Sequence, residues 1–198
     1  MEGWIPLSDP DISLLELEAV TDVLKSPRLS QGPAVAAFES AFATYTDRKQ
    51  GVAVASGTLG LLLALKAMGI GPGDEVIASP YSWHQIAHAI ALAGATPVFA
   101  DIDYWSGTLA PDKVEAKITP HTRAILAGNT NGHPAPWSEL RDIATRHGLR
   151  LIEDSTEAIG STYQGRRVGG FGDVAIFDFS QPGPLTCGEG GMVVTDDA

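Results

Sequence analysis

Three places in the chain set polar groups where an apolar strand gives way to a turn. The first is Ser56-Gly57-Thr58, between a short apolar strand at 51–55 and a helical stretch at 59–68. The free N–H groups of a first helical turn, together with the helix dipole, favour an anion such as a phosphate. Such a tripeptide also caps ordinary helices, and taken alone that reading comes first. The second is Glu153-Asp154, at the end of the apolar strand 149–153, with Glu157 three residues further on. Acids just past the carboxyl end of a buried strand sit where open α/β sheets bind ligands, the alternative being that Asp154 only caps the helix that follows. The third is Asp178, inside Phe177-Asp178-Phe179 at the end of a second apolar strand (173–179), before a Pro/Gly loop that holds Gly183 and Cys187. Cys187 is a nucleophile by type, but nothing in the sequence lowers its pKa, and a packed thiol is expected. No metal site is expected.

Regular alternation must position these groups. Residues 11–25 read as an amphipathic helix stopped by Ser26-Pro27, and 35–45 as a helix with Val35, Phe38, Phe42 and Tyr45 on one face, a stripe for core or interface. Strands follow at 75–79, 97–100, 123–127 and 149–153, separated by helices at 84–92, 111–117 and 137–147, and the last strand is 192–195. Strands alternating with helices predict a three-layer α/β/α sandwich around a mostly parallel sheet.

The composition limits the partners. A chain of 198 residues suits one domain, here 1–198, with 44% hydrophobic and 19% charged residues. A net charge of −11 argues against nucleic acid, whose phosphates need clustered Lys and Arg. A single cysteine cannot form an intrachain disulfide, no signal peptide opens the chain, and no apolar run spans a bilayer, so a cytoplasmic protein without membrane contact is expected.

Several segments together carry a family likeness: Ile5-Pro6-Leu7, Phe38-Glu39, Ser56-Gly57-Thr58, GIGPGDEVI at 69–77, GATPVF at 94–99, Ile118-Thr119-Pro120, residues 149–154, and GEGGMVVTDD at 188–197. In this order and at these intervals they resemble the DegT/DnrJ/StrS family of pyridoxal-phosphate (PLP) aminotransferases of sugar and cyclitol biosynthesis. The resemblance implies the large domain of type I PLP enzymes, normally followed by a smaller domain that is expected to be absent here, and a last pair of strands that can be antiparallel. It makes Gly57 and Thr58 backbone donors to the cofactor phosphate. Trp83 becomes the aromatic stacked on the pyridine ring, and Asp154 the carboxylate that keeps the pyridinium nitrogen protonated so that the ring can act as an electron sink. Trp83 as a core residue is the alternative.

Departures from the family pattern fall in the same site. Glu157 stands where the family has Gln, so the group can accept but not donate unless protonated. Asp178 replaces a Ser whose hydroxyl meets the phosphate. At ~4 Å and an effective dielectric near 20, a like-charge pair costs about 4 kcal/mol. Asn129 replaces a His. Gly183 occupies the position of the Schiff-base lysine, and Lys25, Lys49, Lys66, Lys113 and Lys117 all lie far from it in sequence. Ser180 and Gln181 nearby are poor bases. Without the ε-amine there is neither an internal aldimine nor a base for transamination. No catalytic residue is therefore assigned, and autonomous covalent PLP binding is not expected.

The expected role is a non-catalytic auxiliary subunit pairing with a full-length aminotransferase, or a homo-oligomer, with PLP or pyridoxamine phosphate at a shared site. Three other readings stay open: an enzyme acting on a keto-sugar or cyclitol whose lysine comes from a partner chain; a pocket turned to an amine or other cation; and a remnant or part of a longer reading frame.

Overall fold

Helix and strand alternate as the sequence predicts, with start and stop signals at several of the helices and buried apolar residues on every α-helix after the first. The computed structural model describes residues 10–180, 183 and 185–197. Ile5-Pro6-Leu7 and Gln181 lie outside the described residues. Helix α1 (Leu14–Lys25) opens with a capping box between Ser13 and Glu16. Helix α2 (Pro33–Tyr45) places proline in its first turn, where no N–H is needed. Strand β1 (Gln50–Val54) leads through the N-cap Ser56 into α3 (Gly57–Ala67). There follow β2 (Glu75–Ala78), α4 (His84–Leu92), β3 (Thr96–Phe99), α5 (Pro111–Glu115), β4 (Thr122–Gly128) and α6 (Trp137–His147), which ends on Gly148 in the left-handed region at φ 65°. Strand β5 (Arg150–Asp154), a small hairpin of β6 (Thr162–Tyr163) and β7 (Arg166–Arg167), then β8 (Val174–Asp178) and β9 (Gly191–Thr195) complete the order.

Seven strands form one sheet in the order β1-β9-β8-β5-β4-β2-β3. Strands β3, β2, β4, β5 and β8 are mutually parallel, while β9 runs against both β8 and β1. Six strands therefore share one direction, and their carboxyl ends lie along one edge of the sheet. The antiparallel β9 matches the expected exception.

Side-chain alternation along each strand divides the core into layers. Val76, Ala78, Leu126, Ile152 and Ile176 face α3 and α4, where Leu61, Leu65, Ile86 and Ile90 meet them. Their sequence neighbours Ile77, Ile125 and Leu151 face the opposite way, onto Trp137, Leu140 and Ile143 of α6 and Val114 of α5. On that second face α2 covers β8 and β9, packing Phe42 against Phe177, Phe179 and Met192. Phe42 and Phe177 meet edge to face at 4.8 Å. The aromatic stripe of α2 thus belongs to the core at Phe42, while Phe38 stays partly exposed against Phe179.

Helix α1 behaves differently. None of its residues is buried, and Leu14, Leu15, Leu17, Val20 and Leu24 are all exposed. Its amphipathic pattern is real, but it covers nothing within the described chain. No helix among the described residues is long and apolar enough to cross a membrane.

Candidate functional site

The loops that leave β1, β2, β4, β5 and β8 converge at the carboxyl edge of the sheet, the position where open α/β sheets bind ligands. They enclose two adjoining pockets of about 110 and 290 Å³. The smaller is lined by Gly57, Thr58, Trp83, Asp154, Asp178 and Ser180 over an apolar floor of Leu61, Ile86, Leu126, Ile152 and Ile176. The larger is lined by Tyr81, Trp83, Asn129, Asn131, Asp154 and Glu157, among others. All six residues singled out from the sequence for cofactor contact, Gly57, Thr58, Trp83, Asp154, Glu157 and Asp178, therefore border one cleft.

The amino terminus of α3 is already occupied by the protein itself. Gly57 N–H donates to Asp178 Oδ2 at 2.6 Å, and Leu59 N–H donates to the N-cap Ser56 Oγ at 3.2 Å. Thr58 N–H is the remaining first-turn donor with no protein acceptor among the described residues. The other oxygen of Asp178 accepts from Ser180 N–H at 2.8 Å and from the Ser180 hydroxyl. Asp178 N–H in turn donates to Thr156 Oγ1 at 3.0 Å. Approach is close: a Cβ at Gly57 would lie 2.7 Å from Asp178 Cβ, so this position must be glycine.

The opposite end of the cleft is more open. Trp83 is 47% exposed, which excludes the core reading, and its indole N–H donates to Glu157 Oε1 at 2.7 Å. Glu157 Oε2 accepts from Asn131 N–H at 2.7 Å. Glu157 thus fixes the indole and a loop amide, and both its oxygens are engaged. Asp154 Oδ1 accepts from Thr156 N–H at 3.1 Å, a contact to a short 3₁₀ turn (Thr156–Ala158) where the capping alternative has a helix, while Oδ2 has no hydrogen-bond partner among the described residues. Burial pushes the Asp154 carboxyl above the usual aspartate range, and the charges of Glu157 and Asp178 push it the same way, against the Thr156 hydrogen bonds.

Gly183 is partly exposed and its backbone is outside the left-handed region. A Cβ there would approach Ser180 O at 3.1 Å, so that carbonyl would have to give by a few tenths of an ångström. The backbone angle at this position does not demand glycine. Cys187 corrects an expectation: the thiol is exposed rather than packed, and its polar contact is with Glu189 O at 3.2 Å in the same loop. Partial desolvation, with Asp178 adding to it, raises its pKa, so it is still no ready nucleophile.

Beneath the cleft lies an arrangement that the sequence does not disclose. Glu153, fully buried, accepts five hydrogen bonds: from Asn129 Nδ2, Ser155 Oγ and Gly169 N–H on Oε1, and from Phe171 and Gly172 N–H on Oε2. Asn129 uses its whole amide, donating to Glu153 and Ser155 and accepting from Ala135 N–H and Trp137 Nε1–H. The Asn129 exchange, mild by residue type, therefore sits in a structural knot holding the loops after β4 and before β8. Gly169-Gly170-Phe171-Gly172 is the available signal, a run of backbone amides free to converge on one carboxylate.

A profile of the DegT/DnrJ/EryC1/StrS aminotransferase family matches residues 10–198. The chain is 44% identical over 194 residues to the spore coat polysaccharide biosynthesis protein SpsC of Bacillus subtilis (strain 168), covering 98% of this chain and 50% of that protein. Among solved structures it is similar to DesV of S. venezuelae in complex with a ketimine intermediate, at 43% identity and TM-score 0.89 over 98% of this chain and 54% of that one. It also matches Spr1654 of Streptococcus pneumoniae in its PLP form, at 29% identity and TM-score 0.93 over 98% and 53% of the two chains. The chain spans about half the length of the relatives it matches.

The cofactor of these relatives is a demanding test of the cleft. Trp83 and the open oxygen of Asp154 suit a protonated pyridine ring. The two ends do not fit: Asp178 holds the α3 amide that a phosphate would take, and Gly183 offers no amine to an aldehyde.

Proposed function

Because the chain belongs to the DegT/DnrJ/EryC1/StrS aminotransferase family, we propose that it serves aminotransferase-dependent sugar or cyclitol biosynthesis as a non-catalytic subunit that pairs with a full-length family member. One observation carries this reading: no residue lining the cleft, among those described, is a lysine or a histidine. Proton transfer at carbon needs a base with a pKa near the operating pH, and the three carboxylates present cannot condense with an aldehyde. The apolar face of α1, uncovered among the described residues, supports the pairing, since a contiguous exposed apolar patch of this kind marks an interaction surface. Co-expression with a full-length aminotransferase should give a stable heteromer in which the partner's turnover or thermal stability changes. A monodisperse monomer indifferent to every such partner would sink the proposal.

A second reading is favoured by the open ring end at Trp83 and Asp154. In it the chain contributes half of a shared PLP or pyridoxamine phosphate site, acting on a keto-sugar or cyclitol, with the lysine supplied by the partner. An aldimine absorbance band that appears only in the heteromer, and is lost when the partner's lysine is replaced, would select it over the first.

A further inference from the structure

We infer that Asp178 is a built-in substitute for a ligand's phosphate, so that this cleft selects an unphosphorylated cationic nitrogen base over the phosphate ester of the same base. The inference concerns the chain's own pocket and holds whether or not a partner subunit docks.

Helix termini attract anions through free amides and the dipole. Here that demand is met internally in large part: the carboxylate of Asp178 sits on Gly57 N–H at 2.6 Å, the short distance of a charge-assisted bond, and Thr58 N–H is left as the first-turn amide without a protein acceptor among the described residues. The side chain is not free to swing aside. Ser180 holds its second oxygen through both backbone N–H and hydroxyl, and Thr156 holds its backbone amide. Displacing the carboxylate would strand these donors as well as Gly57. Between Gly57 and the carboxylate there is no room for a further atom, since even a Cβ at Gly57 would come within 2.9 Å of Asp178 Oδ2. A phosphate dianion would meet a fixed negative charge where it seeks positive potential.

The other end of the cleft asks for the opposite charge. Asp154 Oδ2 lacks a donor among the described residues, and Trp83 presents an exposed indole face; both residues border both pockets. A carboxylate with an open lone pair beside an aromatic face complements a protonated ring nitrogen or ammonium. Glu157 reinforces the sign without competing for the ligand, because both its oxygens are engaged.

Pyridoxamine and pyridoxamine 5′-phosphate differ only in the group at issue. Calorimetric titration of the full chain with each should give pyridoxamine an affinity equal to or tighter than its phosphate ester. Asp178→Ser should shift the ratio toward the ester by about tenfold or more, since it removes a fixed like charge and frees the Gly57 amide. Asp178→Asn, which drops the charge but keeps an acceptor over Gly57, should shift it by less, and it carries the test if the serine variant does not fold by circular dichroism. A wild-type chain that prefers the ester tenfold, or a ratio unmoved in both variants, overturns the phosphate substitution. Absence of pyridoxamine binding to the wild-type chain overturns the base selection. None of these outcomes depends on co-purification with an aminotransferase, so failure here and failure of the auxiliary-subunit reading are separable.

Discussion

Glu153 and Asp154 are adjacent in the chain and opposite in circumstance. Alternation at the end of β5 turns one carboxylate under the sheet edge and the other into the cleft. The buried one accepts five hydrogen bonds, three of them from the backbone of the loop before β8. Its neighbour is held by Thr156 alone and borders the cleft beside Trp83. Residue type says nothing about this division. Which groups are already satisfied by the protein, and which still want a partner, separates a carboxylate that holds the fold from one available to a ligand.

The sharpest way to break the contrast is to neutralise each acid in turn. Glu153→Gln keeps the shape but exchanges an acceptor for a donor, so at least one of Gly169, Phe171 and Gly172 N–H loses its acceptor in the interior. A loss of about 3 kcal/mol or more in urea unfolding is expected, the range for stranding partners of a buried charged group. Asn129→Ala removes the same knot from its other side and should cost about 2 kcal/mol. If both substitutions fell below about 0.5 kcal/mol, the scatter of ordinary surface changes, the knot would not be structural.

Asp154→Asn should do the reverse near neutral pH, leaving stability unchanged or slightly raised. Because burial lifts the folded-state pKa of Asp154 above its unfolded value, the folded chain holds this proton more tightly. From the ordinary aspartate range up to the raised value, the unfolded state binds fewer protons, so this group's contribution to stability falls as pH rises and is constant above that window. Subtracting the stability curve of the Asp154→Asn variant from that of the wild type isolates this group, and the difference should slope downward through that interval and then stay flat. An upward slope would mean that a cationic partner, absent among the described residues, sits on Asp154.

Much of this architecture is legible in the sequence, for a definite reason. The layers depend on periodicity: Val76 and Ala78 against Ile77, or Leu126 against Ile125, announce their faces by alternation alone. Gly57, Trp83, Asp154 and Asp178 can be placed along one edge because each lies at or just past the carboxyl end of a strand. What stays hidden is the pairing of distant groups. Nothing local in Phe177-Asp178-Phe179 says that its carboxylate reaches the amide of Gly57, 121 residues earlier. The convergence of Asn129, Glu153 and the loop at 169–172 is hidden for the same reason, and Cys187 reads as packed because residue type carries no information on how its loop lies against the sheet edge.

The smallest expected effect extends the contrast from charged to apolar side chains. Leu65 on α3 is fully buried, and truncation to alanine there should cost about 2–5 kcal/mol, since transfer and cavity terms add. Leu15 and Leu24 on α1 are of the same type but 74% and 67% exposed, so they lose almost no contact when altered. The double variant Leu15→Ser/Leu24→Ser should therefore change the stability of the isolated chain by no more than about 0.5 kcal/mol. If α1 is the docking face of the proposed heteromer, the same variant should abolish co-purification with the aminotransferase while leaving the chain folded. A large loss of stability would show that α1 packs on this chain in solution, and the apolar stripe would then cease to argue for a partner. Silence in both measurements would remove α1 from the interface and leave any pairing to a surface elsewhere, while the contrast between Glu153 and Asp154 would stand, since neither carboxylate touches this helix.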